Sequence, residues 1–366
     1  MNHFSNIKSL NDYRASPAMS QSFLKAVLAN NVKKEFKETI PMILGSYLDS
    51  CLTTPELTSD LFQVGLSKRP SDAIKGFLDD VFKQALIELE ELIQEEVMYP
   101  VINPNLEVWK LKIMMKVKEA NYQPKWGDDA IWKSIKADGE SYWEELVSSQ
   151  GKMLITQEEK EKCDNIAQLV CSSYITGKYF IEQEEVEKYY QKDLYWTYEN
   201  LSCKGLLDIL IFEKETKTIY IIDIKSTGVY SIKEWFNVCR TKNYPFQMSW
   251  YKLGVEQNYK DLIEEGWNIK CRWVVIPTEI FKPWIIPCTE LMLKLGKEGY
   301  WKSKTTFSLS DKEDKTFYGQ EFVQGFDEAI RKYKVKEEKK LLDYDIEYAI
   351  LDGKPNDKYA NMMYFT

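Results

Sequence analysis

The stretch Cys203–Thr227, CKGLLDILIFEKETKTIYIIDIKST, decides the fold. Two apolar runs rich in β-branched residues, "LLDILIF" (206–212) and "TIYIIDI" (218–224), flank the polar spacer "EKETK". Runs of this length bounded by a turn-like polar stretch are the pattern of paired strands. Just upstream, "DLYWTYEN" (193–200) has the same texture, so three consecutive antiparallel strands are expected, and "IKCRWVVIPT" (269–278) reads as one more.

Away from this block the chain reads as helix. "SQSFLKAVLAN" starts at Ser20, a good N-cap, with Phe23, Val27 and Leu28 on one face. "IPMILGSYLDSCL" (40–52) is a second helix, and from Leu78 to Val97 the residues Phe82, Leu86, Leu89, Ile93 and Val97 recur at helical spacing. Glu88, Glu90, Glu91, Glu95 and Glu96 on the other face make a solvated acidic side. Further helices are expected over 158–175, at "SIKEWFNVCRTKN" (231–243), at "ELMLKL" (290–295), and around Phe322, Phe326, Ile330 and Tyr333. Helices, then clustered strands, then helices with a late strand make an α/β (α+β) protein with a helical N-terminal elaboration.

Composition narrows the chemistry. The 366 residues suffice for about two domains. A hydrophobic fraction of 44% excludes wholesale disorder. One histidine, His3, removes imidazole bases, Ser–His and Cys–His catalysis and His-rich zinc sites. The seven cysteines are scattered and form no C-x-x-C pair, so free thiols in a reducing compartment are expected. With no signal peptide pattern and no apolar run near the ~18 residues of a membrane span, a cytoplasmic protein without membrane association is expected. A net charge of −8 argues mildly against nucleic acid as an average-surface partner. Local basic stretches at Lys110, Lys112, Lys116 and Lys118, and at Arg331–Lys340, are either phosphate tracks or ordinary exposed faces.

One cluster carries chemistry. Asp223 and Lys225 are two apart in a strand and share a face, and Asp208 meets them if its strand is the hairpin partner. Two carboxylates and a lysine suit a hard cation such as Mg²⁺ or Mn²⁺ and a water held beside it. The same residues also fit a plain strand salt bridge with Asp208 unrelated. Downstream, Gln247 and Tyr251 are four apart and share a helical face.

The series GLLD…DIK…QMSWY resembles the PD-(D/E)XK nuclease superfamily, in the branch of recombination exonucleases. That branch includes lambda exonuclease, RecB-type nuclease domains and the phage and prophage exodeoxyribonuclease VIII proteins. There a G-x-x-D strand precedes (D/E)-x-K and a helix with Q-x-x-x-Y, which Asp208, Asp223, Lys225, Gln247 and Tyr251 match in order. "MSQSFLK" resembles the exodeoxyribonuclease VIII opening signature, and "LGSYLDSCLTTPE" its G-x-x-x-H segment with Asp49 in the histidine position. Leu207 replaces the proline that names the superfamily. The resemblance covers about residues 20–52 and 194–252.

The resemblance implies a restriction-endonuclease-like central mixed sheet flanked by helices. It divides the chain into a helical part (1–180) supplying Asp49, a nuclease core (181–305), and a C-terminal helix and tail (306–366). It implies Mg²⁺, with Mn²⁺ able to substitute, held by Asp208, Asp223, the Ile224 carbonyl and Asp49. Lys225 would position the attacking water, Gln247 would hold that water or the phosphate, and Tyr251 would pack beside them. Lys204 would either contact a backbone phosphate or sit inert in its turn. With no cysteine beyond Cys288, no iron–sulfur cluster is expected. The implied activity is exonucleolytic hydrolysis of linear double-stranded DNA in phage-type recombination or DNA processing. A homo-oligomer and a single-strand annealing protein are the implied partners. The alternatives are a repair or restriction endonuclease of the same fold, or an inactive DNA-binding or structural phage protein.

Overall fold

The strands expected around 203–227 form the middle of a five-stranded sheet. The computed structural model describes residues 7–29, 39–66, 68–94, 101–149, 151–308 and 315–339. It opens with helices α1 (Ile7–Ala15) and α2 (Gln21–Leu28). Then come α3 (Ile40–Thr53), α4 (Thr58–Leu61), β1 (Phe62–Leu66), α5 (Asp72–Gln94), α6 (Lys110–Glu119), α7 (Asp128–Ser149), β2 (Met153–Thr156) and α8 (Gln157–Ser172). The sheet region holds β3 (Val186–Tyr198), β4 (Leu201–Glu213), β5 (Thr218–Thr227), α9 (Ile232–Thr241), α10 (Tyr244–Asn258), α11 (Lys260–Glu264), β6 (Asn268–Pro277) and β7 (Trp284–Cys288). After it run α12 (Glu290–Glu298), β8 (Tyr300–Ser308), β9 (Lys315–Val323) and α13 (Phe326–Lys339).

The chain forms two compact units, one of residues 38–168 and the other of residues 1–37 with 169–366. The first 37 residues therefore belong with the sheet. Met19 bridges Cys203 in parallel, its N–H donating to the Ser202 carbonyl and its carbonyl accepting from the Lys204 N–H. α2 begins at Ser20, whose hydroxyl accepts from the Phe23 N–H as an N-cap does.

In the sheet unit the strand order is β3-β4-β5-β6-β7, antiparallel except for the parallel β5–β6 pair. A parallel pair needs a crossover, and α9, α10 and α11 supply it. α10 lies against β3 and β4, with Trp196 of β3 and Trp250 of α10 at 4.9 Å between ring centroids. Gly254 makes that approach possible, since a Cβ there would come within 2.7 Å of the Trp196 ring. β5 is buried along most of its length, as a central strand covered on both faces must be.

The unit of residues 38–168 is helical, with a core of Leu78, Ile113, Ile135 and Trp143 and a two-stranded parallel pair of β1 with β2. Its helix α5 starts six residues before the apolar repeat suggested, and Glu95, Glu96 and Val97 lie outside the described residues, as do His3 and Lys340. Phe322 is not on the C-terminal helix. It sits on β9, paired with Trp301 of β8, and Gly325 separates that hairpin from α13. The i, i+4 spacing of Phe322 and Phe326 is shared by a strand end and a helix start, so periodicity alone misassigned it. Among the described residues no helix is long and apolar enough to cross a membrane.

Candidate active site

The β4–β5 ladder runs from Glu213 opposite Thr218 to Ile209 opposite Ile222 and stops there, while β5 stays paired with β6 as far as Thr227. Past that point the Ile224 N–H needs another acceptor. The Asp208 carboxylate provides it, with Oδ2 at 2.7 Å from the Ile224 nitrogen. Asp208 is thereby held against Asp223–Lys225 at the end of the hairpin, as the pairing argument expected.

Asp223 is almost fully buried, its side chain 1% exposed, and Lys225 Nζ lies 2.6 Å from its Oδ2. The contact is an ion pair without hydrogen-bond alignment, and Oδ2 is a buried oxygen with no hydrogen-bond donor. Burial works to lower the Lys225 pKa, but the charges of Asp223 and then Asp208 outweigh it and hold it above the ordinary lysine value. Lys225 is thus a cation at neutral pH. Its Nζ also lies 3.4 Å from the Ile224 carbonyl and 5.2 Å above the Tyr244 ring.

Gln247 and Tyr251 come to the same place from α10. Gln247 Nε2 donates to Asp223 Oδ1 at 3.1 Å and to the Tyr251 hydroxyl at 3.0 Å. Both amide N–H groups are then committed, leaving Oε1, a pure acceptor, for a water. Burial first, then the carboxylates of Asp223 and Asp208, push the Tyr251 pKa well above its usual value, so the phenol stays neutral. Gly205 explains the glycine of G-x-x-D. A Cβ there would sit 3.2 Å from the Tyr251 ring and 3.3 Å from Trp196, so both rings would have to give by a few tenths of an ångström. Trp250 Nε1 fixes the same approach by donating to the Lys204 carbonyl at 3.0 Å.

Asp208, Asp223 with Lys225, the Ile224 carbonyl, Gln247 and Tyr251 are therefore one cluster. Asp49 lies on α3 in the unit of residues 38–168, where its carbonyl accepts from Thr53 Oγ1 at 2.8 Å. Among the described residues no three His, Cys, Asp or Glu side chains form a metal-holding group. The sheet unit offers two carboxylates and a backbone carbonyl, and the undonated, buried Asp223 Oδ2 is the kind of oxygen a hard cation takes. An all-oxygen set with one or two carboxylates fits Mg²⁺ or Mn²⁺, which complete their shells with water.

Other candidates resolve differently. Lys204 is buried, and its ammonium donates to the carbonyls of Tyr13 and Ser16, each at 2.7 Å, and of Arg14 at 3.3 Å. It fastens the N-terminal segment and is not a phosphate contact. Lys112, Lys116 and Lys118 pair with Glu88, Glu119 and Asp128, and Lys110 lies over the Trp132 ring. That stretch is an ordinary charged face. Farther along the chain, Arg331 pairs with Glu328 and Lys334 with Glu199. All seven cysteines are free thiols, and burial pushes Cys203 up to about 11 and Cys271 up to about 12, away from thiolate chemistry. Sequence reasoning gave no role to Tyr244 or Lys25. The lysine stands in the quoted "MSQSFLK", which was its only signal.

Neither a scan against protein-family models nor a search of curated proteins returns a match.

Proposed function

We propose that this chain is a Mg²⁺-dependent deoxyribonuclease that hydrolyses the phosphodiester bonds of linear double-stranded DNA from its ends, in phage-type recombination or DNA processing. The observation that carries the reading is the convergence of Asp208, the Asp223–Lys225 pair, Gln247 and Tyr251 on one end of a mixed sheet. It is the residue set of the PD-(D/E)XK resemblance, drawn together from three separate elements on a mixed five-stranded sheet.

Asp208, Asp223 and the Ile224 carbonyl would hold the Mg²⁺ or Mn²⁺, with waters completing its shell. When bound, the ion supplies Lewis-acid stabilisation of charge developing on the phosphate. The Lys225 ammonium donates to the attacking water and fixes its line of approach. Gln247 keeps Asp223 from rotating and offers Oε1 as a second contact for that water, while the neutral Tyr251 hydroxyl sets the amide orientation. Histidine is not needed anywhere in this scheme. A ring-like homo-oligomer around the duplex and a single-strand annealing partner belong to the same proposal.

The test is incubation with linear, nicked-circular and closed-circular duplex DNA, with Mg²⁺ or EDTA, for the wild type and Lys225→Ala. Loss of linear DNA alone, only with Mg²⁺ and only with Lys225, is the expected result. Cutting of closed circles would move the reading to an endonuclease. Hydrolysis that survives Lys225→Ala would overturn the mechanism, and inactivity with Mg²⁺ and with added Mn²⁺ would leave a DNA-binding or structural protein.

A further inference from the structure

The helix α9 carries an apolar strip that the protein leaves uncovered. It stands beside the cluster through Trp235, whose ring stacks on Tyr244 at 5.4 Å between centroids, and the Lys225 ammonium lies 5.2 Å above that tyrosine. Trp235 and Cys239 are buried, but Ile232 and Phe236, four residues apart and so on one strip of the helix, are 48% and 40% exposed. Just before the helix, Tyr230 is 63% exposed. Its backbone is fixed, because its N–H donates to Glu234 Oε2 at 2.8 Å while the Ser231 hydroxyl accepts from the Glu234 N–H. At the far end the Lys25 ammonium of α2 donates to the carbonyl of Lys242, the residue that ends α9, at 3.0 Å. The strip is therefore held at both ends.

Charge says what such a strip accepts. The protein carries a net −8, yet residues 230–242 hold Lys233, Arg240 and Lys242 against the single acid Glu234. Among the described residues none of these three cations has an ion-pair partner, and Arg240 donates to a neutral acceptor, Asn237 Oδ1, at 2.9 Å. The helix α6 makes the contrast. Leu111 and Met115 are exposed there, but Lys112, Lys116 and Lys118 around them are each paired with an acid. Single exposed apolar side chains need no explanation. Rings and an aliphatic side chain interleaved with unpaired cations suit a polyanion that also has apolar faces, which is a nucleic acid strand. In a duplex the faces of the bases are closed by stacking, so only an unpaired strand offers them to a side chain.

We infer that Tyr230, Ile232 and Phe236, with Lys233 and Arg240, form a binding platform for single-stranded DNA, on which bases stack while the cations hold the phosphates between them. The inference rests on the nuclease reading for the source of the strand, since removal of nucleotides from one strand of a linear duplex leaves its complement unpaired. The platform holds that complement and keeps the protein at the duplex end between cuts.

Binding of a short fluorescein-labelled oligothymidylate in EDTA, followed by anisotropy, tests the platform without any turnover. Tyr230→Ala combined with Phe236→Ala removes two exposed rings. The expected result is strand binding weakened at least about ten-fold, the scale of one stacked base, with binding of a blunt duplex unchanged. An abasic strand of the same length should bind the wild type and this ring variant alike. Lys233→Gln combined with Arg240→Gln should lower the log–log salt slope of strand binding by about 1.4, the share of two phosphate contacts on a single strand. Should the variants fold poorly, photocrosslinking of the wild type to a strand carrying 5-iodouracil, mapped by mass spectrometry, must reach Tyr230 or Phe236. No strand binding by the wild type, unchanged binding in the ring variant, equal losses on strand and blunt duplex, or crosslinks only elsewhere would each overturn the proposal. Self-association of the wild type that the ring variant abolishes, with strand binding unchanged, would overturn it in favour of a second copy of the chain. Mg²⁺-dependent hydrolysis is read separately. Cleavage without strand binding sinks the platform alone, and strand binding without cleavage sinks the nuclease reading alone.

Discussion

Each of the two units sets a lysine–aspartate pair beside a tyrosine, and they complete it differently. In the helical unit Lys75 Nζ lies 2.5 Å from Asp79 Oδ2, and the Tyr142 hydroxyl donates to Oδ1 at 2.7 Å. Both carboxylate oxygens are answered, and the Lys75 ammonium also lies 5.8 Å above the Tyr142 ring. In the sheet unit the Tyr251 hydroxyl is spent on Gln247, and Asp223 Oδ2 faces Lys225 without a hydrogen bond. A closed network stabilises a fold and has nothing left to offer a ligand. An open one keeps lone pairs and charge for something else, at a cost in stability that the rest of the sheet must offset.

The largest break in this comparison comes from Lys225→Ala. It should lower the Mg²⁺-dependent rate of linear DNA hydrolysis by about 10³-fold, the scale of a positioned proton-transfer or charge-stabilising group, read as acid-soluble nucleotide release. Gln247→Leu removes the clamp on Asp223 but no proposed ligand. A loss of about 10–100-fold, with more Mg²⁺ needed for half-maximal rate, is the expected outcome of loosening a ligand's support. On the closed side, Tyr142→Phe deprives a partly buried carboxylate of one donor. Chemical denaturation should show a stability loss of about 1–3 kcal/mol, with hydrolysis per folded molecule unchanged.

The smallest effect is a pH slope. The folded pKa of Lys25 is about 8 against 10.5 for the unconstrained side chain. Between those values the unfolded chain holds a proton that the folded chain has released, so this group makes stability rise with pH. Below about 8 both states are protonated and the unfavourable contribution is complete. The wild type minus Lys25→Gln difference in unfolding free energy should therefore climb between pH 8 and 10; a flat difference would place Lys25 in an ordinary solvated setting.

Legibility of the molecule followed the range of its interactions. The strands β3, β4 and β5 were readable because neighbouring runs pair with each other, and Gln247 with Tyr251 because one helical turn joins them. β1 and β2 were not, since they pair across some ninety residues and are only a few residues long. β7 carries Pro287, a residue that argues against a strand unless it lies at an edge, which is where β7 is. In the β8–β9 hairpin the aromatic start Tyr300–Trp301 is followed by the polar run KSKTT, which breaks the apolar alternation of a strand. Local sequence left Lys204 open between a phosphate contact and an inert turn residue because the carbonyls that hold it belong to residues 13–16, far from it in the chain. Lys25 was passed over for the same reason, its partners lying on α9 and α10.

The stitch between Met19 and Cys203 has a consequence for how the protein is made. A ribosome releases Met19 first, yet its partner Cys203 is synthesised 184 residues later, about 9–37 s at bacterial and eukaryotic elongation rates. Over that interval residues 38–168, which are contiguous in the chain, can fold on their own schedule. The opening helices have to wait unpaired until β4 emerges. Docking of the N-terminus is then a late, long-range closure, the slow kind of folding event. The lysine it brings reaches its place only after the rest of the sheet unit exists to receive it.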